Sequence, residues 1–225
     1  MIKAIVTDIE GTTTSISFVY EVLFPYAREH LAEYVRAHAG DSEVIAYIDA
    51  VCDEVGHPMT FDEAISQLEQ WMAEDRKITP LKGLQGLVWE AGYRNGDYTG
   101  HVYADANLAL QKWHKQGIEL YVYSSGSVKA QKLLFAYTDY GDLTPLFTGY
   151  FDTTIGAKTD PASYQRIIEH IQVEPAQILF LSDIENELHA ASDAGMQTCW
   201  LVRDSDIDPA AKCRQVTSFA EIVLE

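Results

Sequence analysis

Short apolar runs alternating with helical stretches constrain this chain more than any other feature. Residues 2–7 (IKAIVT), 118–123 (IELYVY), 178–181 (ILFL) and 198–202 (TCWLV) are too short for amphipathic helices. They read as buried parallel strands. Between them the spacing predicts helices over 104–116, 128–137, 161–171 and 185–194. Gly117 and Gly195 stand just past two of these, where glycine tolerates the left-handed conformation that stops a helix. Strands alternating with helices of about a dozen residues predict a doubly wound α/β sheet.

The alternation is missing from about residue 15 to residue 100, where only helical patterns occur. Val44, Ile45, Ile48, Val51, Cys52 and Val55 recur at helical spacing, with Gly56 as a stop. Thr60 and Glu63 form a capping box that opens a helix towards Trp71 and Met72. Pro25 is expected to divide the first stretch, and Pro80 to start the last. The expected organisation is an α/β core made of residues 1–14 and 101–225, with an all-helical insert at 15–100. Trp71, Trp89, Trp113 and Trp200 are expected in the core.

Composition narrows the partners. The 225 residues carry 16 Lys plus Arg against 34 Asp plus Glu, a formal net charge of −18. That argues against nucleic acid or an anionic membrane, both of which want a basic face. No stretch approaches the roughly 18 uncharged apolar residues of a membrane span, and the N-terminus lacks a secretory pattern. Cys52, Cys199 and Cys213 are odd in number and widely spaced, which suits free thiols in a reducing cytosol. A cytoplasmic location is expected.

Four segments carry chemistry. Asp8 ends the first strand and Glu10 follows two residues later, ahead of Gly11-Thr12. A carboxylate there can serve as a nucleophile, a metal ligand or both, in the position where open α/β sheets bind ligands, or it is an acidic turn after a strand with Asp8 as a helix cap. Two acids so close repel unless a cation intervenes, so a hard divalent ion such as Mg²⁺ is expected. Ser124 and Ser125 follow the second strand and precede a helix, where hydroxyls and backbone N–H groups make an anion site or simply cap the helix. Lys158, in a turn after Gly156, either holds a phosphate oxygen or is solvated. Asp183 ends another strand, and Glu187 lies one helical turn on. Asp183 can complete a cation's oxygen shell. Glu187 either orients a ligand or is an acid favoured by the helix dipole. Strand ends of a parallel sheet converge on one edge, so these pieces have the parts for metal-assisted phosphoryl transfer.

Asp8-x-Glu10-Gly11-Thr12, Ser124, Lys158, and Asp183 with Glu187 resemble the four motifs of the haloacid dehalogenase superfamily, in order and over the whole core. The resemblance implies a Rossmann-like parallel-sheet core with the helical insert as a cap. It also implies an aspartyl-phosphate mechanism, with Asp8 as nucleophile, and Ser124, Ser125 and Lys158 on the phosphoryl group. Asp8, Glu10 and Asp183 would bind Mg²⁺, Glu10 through its backbone carbonyl. Lys158 and Glu10 are the further catalytic candidates, Glu10 as acid and base, and Glu187 has a supporting role.

Glu stands at position 10 where most phosphatases of the superfamily have Asp. The stretch 8–13 (DIEGTT), 123–128 (YSSGSV), and 84–89 with 92–96 (LQGLVW and GYRNG) are similar to the enolase-phosphatases of methionine salvage. That likeness implies a monomer acting on a small phosphorylated metabolite, 2,3-diketo-5-methylthiopentyl 1-phosphate, enolised and then dephosphorylated to the acireductone. The alternatives are another small-metabolite phosphatase or a phosphomutase of the same superfamily. A signalling receiver module fits poorly, because it has about half this length and no helical insert. Glu10 argues against a dehalogenase, which attacks carbon without a cation.

Overall fold

The computed structural model describes residues 1–203, 205–211 and 213–224. Among them, β1 (Ala4–Thr7), β2 (Glu119–Tyr123), β3 (Gly149–Phe151), β4 (Ile178–Ser182), β5 (Gln197–Leu201) and β6 (Gln215–Val216) form one sheet. The strand order is β3-β2-β1-β4-β5-β6, and every pairing is parallel. Chain order reverses direction around β1, so the crevice beyond the carboxyl ends of β1 and its neighbours is where this topology binds ligands. Strand β1 is buried at every residue, which is why its sequence is continuously apolar rather than alternating.

The helices in chain order are α1 (Ile16–Phe18), α2 (Phe24–Ala37), α3 (Ser42–Val55), α4 (Phe61–Ala73), α5 (Thr79–Asn95), α6 (Ala104–Lys115), α7 (Val128–Ala136), α8 (Pro161–Ile171) and α9 (Glu185–Asp193). Their bounds fall within a few residues of those the periodicity predicts. Strands β3 and β6 are additions to the expected set. At three and two residues, one containing Gly149 and the other Gln215, neither makes an apolar run.

The chain separates into two compact units, one of Met1–Ile16 with Thr99–Glu225 and one of Ser17–Tyr98. In the first unit, Val6, Tyr123, Phe180, Tyr164, Ile167 and Leu188 belong to one core cluster that joins the sheet to α8 and α9. In the second, Leu31, Val51, Leu68, Trp71, Leu84 and Val88 pack the faces of α2, α3, α4 and α5 together. Thr60 and Glu63 make the reciprocal capping box: the Thr60 N–H donates to Glu63 Oε2 at 2.7 Å, and the Glu63 N–H to Thr60 Oγ1 at 3.3 Å.

Pro25 does not divide a helix. It sits in the first turn of α2, where a missing N–H leaves no bond unmade, directly after a π-helical turn at Val19–Leu23. Trp71 and Trp113 are buried, as expected of core residues. Trp89 and Trp200 are only half-buried, and each indole N–H reaches a backbone carbonyl: Leu23 at 2.7 Å and Asp183 at 2.8 Å. The three cysteines are free. No helix among the described residues is long and apolar enough to cross a membrane.

Candidate active site

Register sets the site. Thr7 on β1 lies level with Val122 on β2 and Leu181 on β4. Asp8 therefore leaves β1 at the same edge as Ser124, just past β2, and Asp183, just past β4. The Asp8 N–H still donates to the Leu181 carbonyl at 2.9 Å, so the ladder holds the carboxylate's backbone. Beyond it the chain folds into a tight turn. The Thr12 and Thr14 N–H groups both donate to Ile9 O, at 3.1 and 2.9 Å, and the Gly11 N–H donates to Thr14 O at 2.8 Å. Gly11 has φ of +77°, and a Cβ there would collide with the Asp183 carboxylate. Only glycine lets the β1 loop approach Asp183 so closely.

Lys158 is no surface lysine. It is 8 % exposed, and its Nζ lies 2.6 Å from Asp8 Oδ1 and 2.7 Å from Glu187 Oε2. Two tyrosines hold the turn that carries it. The Tyr123 hydroxyl donates to Gly156 O at 3.0 Å, and the Tyr164 hydroxyl to Lys158 O at 2.7 Å. The Lys158 ammonium also lies 5.8 Å from the centre of the Tyr123 ring. Glu187, in the first turn of α9, accepts a second hydrogen bond from Ser182 Oγ at 2.9 Å. Ser124 Oγ donates to Glu10 Oε2 at 3.1 Å and accepts the Gly126 N–H at 3.1 Å. Ser125 is exposed on the same turn, and Ser127 caps α7.

Asp8, Lys158 and Glu187 thus form one chain of contacts, and Glu10 with Ser124 a second. Ser182 and Tyr164 support the site without having been singled out in the sequence, and Tyr123 does so although the 123–128 stretch gave it no role of its own. Nothing in their own stretches marks them, since their role appears only when distant segments meet.

Four carboxylates, Asp8, Glu10, Asp183 and Glu187, share one ammonium. The surplus of negative charge shows in their proton affinities. Burial, and then the charge of Asp8, pushes Asp183 up to about 7. The same two causes raise Glu10 and Glu187 above the usual carboxylate range. Burial alone would lower Lys158, but Asp8 and Glu187 outweigh it and hold the ammonium charged. Asp183 Oδ1 is buried with no hydrogen-bond partner. A surplus of anionic oxygen beside an unpartnered buried one is the donor chemistry of a hard divalent cation. Among the described residues no three His, Cys, Asp or Glu side chains gather into a metal cluster. Asp8 and Asp183 are the side chains at this edge that could ligate a cation, while the Glu10 carboxylate is engaged by Ser124.

Residues 2–195 match the model of the haloacid dehalogenase-like hydrolases, and the chain belongs to that family. Among similar proteins, enolase-phosphatase E1 of Methylococcus capsulatus is 59% identical over 205 residues, which is 91% of this chain and 90% of that protein. Enolase-phosphatase E1 of Pectobacterium carotovorum is 55% identical and covers 100% of this chain and 98% of its own. The crystal structure of the UTR4 protein of Saccharomyces cerevisiae superposes with a TM-score of 0.84 at 34% identity, covering 99% of this chain and 100% of that one. A structure of CbbY from Rhodobacter sphaeroides in complex with phosphate, at 20% identity and a TM-score of 0.61, shares the fold.

Proposed function

We propose that this chain is an enolase-phosphatase of methionine salvage, a phosphoric monoester hydrolase acting on 2,3-diketo-5-methylthiopentyl 1-phosphate. The observation that carries the reading is the 55% identity along the whole chain to an enzyme of that name. The Asp8–Lys158 contact supports its phosphatase half. The chemistry has two stages. The diketone is first enolised; the enol phosphate is then hydrolysed to the acireductone and orthophosphate.

Lys158 and the Ile9 N–H, at 2.6 and 2.8 Å, both bind Asp8 Oδ1. They fix the carboxylate and leave Oδ2 as the oxygen without such a clamp. In the proposed reaction an Asp8 oxygen bonds to phosphorus and the bond from phosphorus to the enol oxygen breaks. Glu10, whose proton affinity is raised by burial and by the charge of Asp8, gives that oxygen its proton. As a carboxylate, Glu10 then takes a proton from water. The water oxygen bonds to phosphorus, and the bond to Asp8 breaks. Ser124, Ser125 and Lys158 hold the phosphoryl oxygens.

Asp8 and Asp183, with the carbonyl of Glu10, would hold the divalent cation, which we take to be Mg²⁺. When bound it neutralises phosphoryl oxygens and the surplus of carboxylates. Glu187 keeps Lys158 oriented, and the helical unit supplies the cap. The enzyme acts in the cytoplasm as a monomer.

The test is phosphate release from the diketone phosphate, with absorbance followed at the same time. The reading predicts Mg²⁺-dependent phosphate release accompanied by a new ultraviolet-absorbing enol. Phosphate without the enol would make the chain another small-metabolite phosphatase. Little phosphate, with a requirement for a bisphosphate activator, would make it a phosphomutase.

A further inference from the structure

The loop that carries Asp8 and Glu10 is held from the far end of the chain. Arg203, which follows β5, donates from Nη2 to the Thr12 carbonyl at 2.9 Å and from Nε to the same oxygen at 3.2 Å. Its third contact is Nη1 to Asp105 Oδ2 at 2.7 Å. The side chain is 9% exposed. Its guanidinium carbon lies 4.2 Å from the centre of the Tyr103 ring and 5.2 Å from that of Phe219.

A guanidinium beside two rings with three directed bonds has little freedom. Asp105, in turn, accepts from Ser218 Oγ and the Phe219 N–H, each at 2.8 Å. The Tyr103 N–H donates to Thr13 O at 2.9 Å, so the residue under the guanidinium grips the loop as well.

We infer that Arg203 is a positioning residue for the phosphoryl-transfer step, acting through the Thr12 carbonyl on the turn that sets Asp8 against Glu10. Backbone N–H groups hold the Ile9, Thr13 and Thr14 carbonyls of this loop, and Arg203 holds that of Thr12. Thr12 follows Gly11, the residue with φ of +77° that lies against Asp183, so loss of the Thr12 anchor would loosen the turn that carries Glu10 and Gly11. A misplacement of about 1 Å in a reacting group costs on the order of 100-fold in rate. Lysine cannot substitute, because an ammonium cannot bond the carbonyl twice and the carboxylate once in one plane.

The inference rests on the phosphatase reading, and its test separates the two. Wild type, Arg203→Lys, Arg203→Ala and Ser218→Ala are assayed for phosphate release with Mg²⁺, and melting temperatures are recorded. Ser218→Ala weakens the same buttress without touching Arg203, so it is expected to melt lower and keep wild-type kcat. Both Arg203 variants are expected to lose about 10- to 100-fold in kcat with KM within about threefold. Added guanidinium ion is expected to restore part of the activity of Arg203→Ala, by filling the space the side chain leaves beside the two rings.

Three results would overturn the assignment: wild-type kcat in Arg203→Lys, a loss of kcat in Ser218→Ala proportional to its loss of stability, or no rescue by guanidinium. A wild-type protein that released no phosphate would instead sink the phosphatase reading itself.

Discussion

Lys158 is the residue on which the electrostatics of the site turn. It is the ammonium that meets both Asp8 and Glu187, and all three side chains are buried. Removing one member of a buried ion pair leaves charge uncompensated. Lys158→Met is therefore expected to lower the stability of the metal-free protein by about 3–5 kcal/mol in denaturant titration, as well as to abolish phosphate release.

Gly11→Ala is expected to fold less stably and lose most activity. Its Cβ meets the Asp183 carboxylate and its backbone lies where L-residues are strained. Wild-type kcat in that variant would mean that the loop relaxes at no cost.

Asp105 gives the pH dependence. Burial alone would raise it, but the hydrogen bonds from Arg203, Ser218 and the Phe219 N–H override that and hold it below its ordinary value. Its contribution to stability is then fully present above about pH 4, the unfolded-state value, and is lost as pH falls through the lower folded-state value. Melting curves of wild type and Asp105→Asn should accordingly converge as the pH falls below about 4. A constant gap would remove the carboxylate's role.

At the scale of elements, what the sequence revealed and what it hid have separate physical causes. Strands β1, β2 and β4 are largely buried, they and β5 are long enough for their apolar runs to stand out, and α8 is bracketed by Asp160 and Pro161 at its start. Strands β3 and β6 are held mainly by ladder bonds to a longer neighbour, so their own residues carry little signal. The carboxylates, Ser124 and Lys158 were legible because strand ends of a parallel sheet share an edge. Tyr164, Ser182 and Arg203 were not, since each matters only through a backbone or side chain far away in the chain.

The helical unit stands on its own core. Leu68 on α4 is fully buried within it. Leu68→Ala is expected to cost about 2–5 kcal/mol of stability, read by chemical denaturation, while leaving the Asp8–Lys158 contact intact.

Over the whole molecule, a net charge of −18 surrounds a site meant for an anionic substrate. The carboxylate surplus at the sheet edge makes the same demand locally, and a divalent cation answers both. At 100 times its dissociation constant, Mg²⁺ is expected to stabilise the fold by about 2.7 kcal/mol. The shift in melting temperature should shrink in Asp183→Asn. An equal shift in that variant would remove Asp183 from the metal site.

The proposed reaction phosphorylates Asp8 covalently, and trapping that acyl phosphate checks it. Enzyme quenched during turnover is treated with borotritide, which reduces acyl phosphates, and the tritiated peptide is sequenced. The label is expected on residue 8 in the wild type and absent from Asp8→Asn, which should also release phosphate at less than about a hundredth of the wild-type rate. Label on another residue, or undiminished turnover by Asp8→Asn, would contradict it.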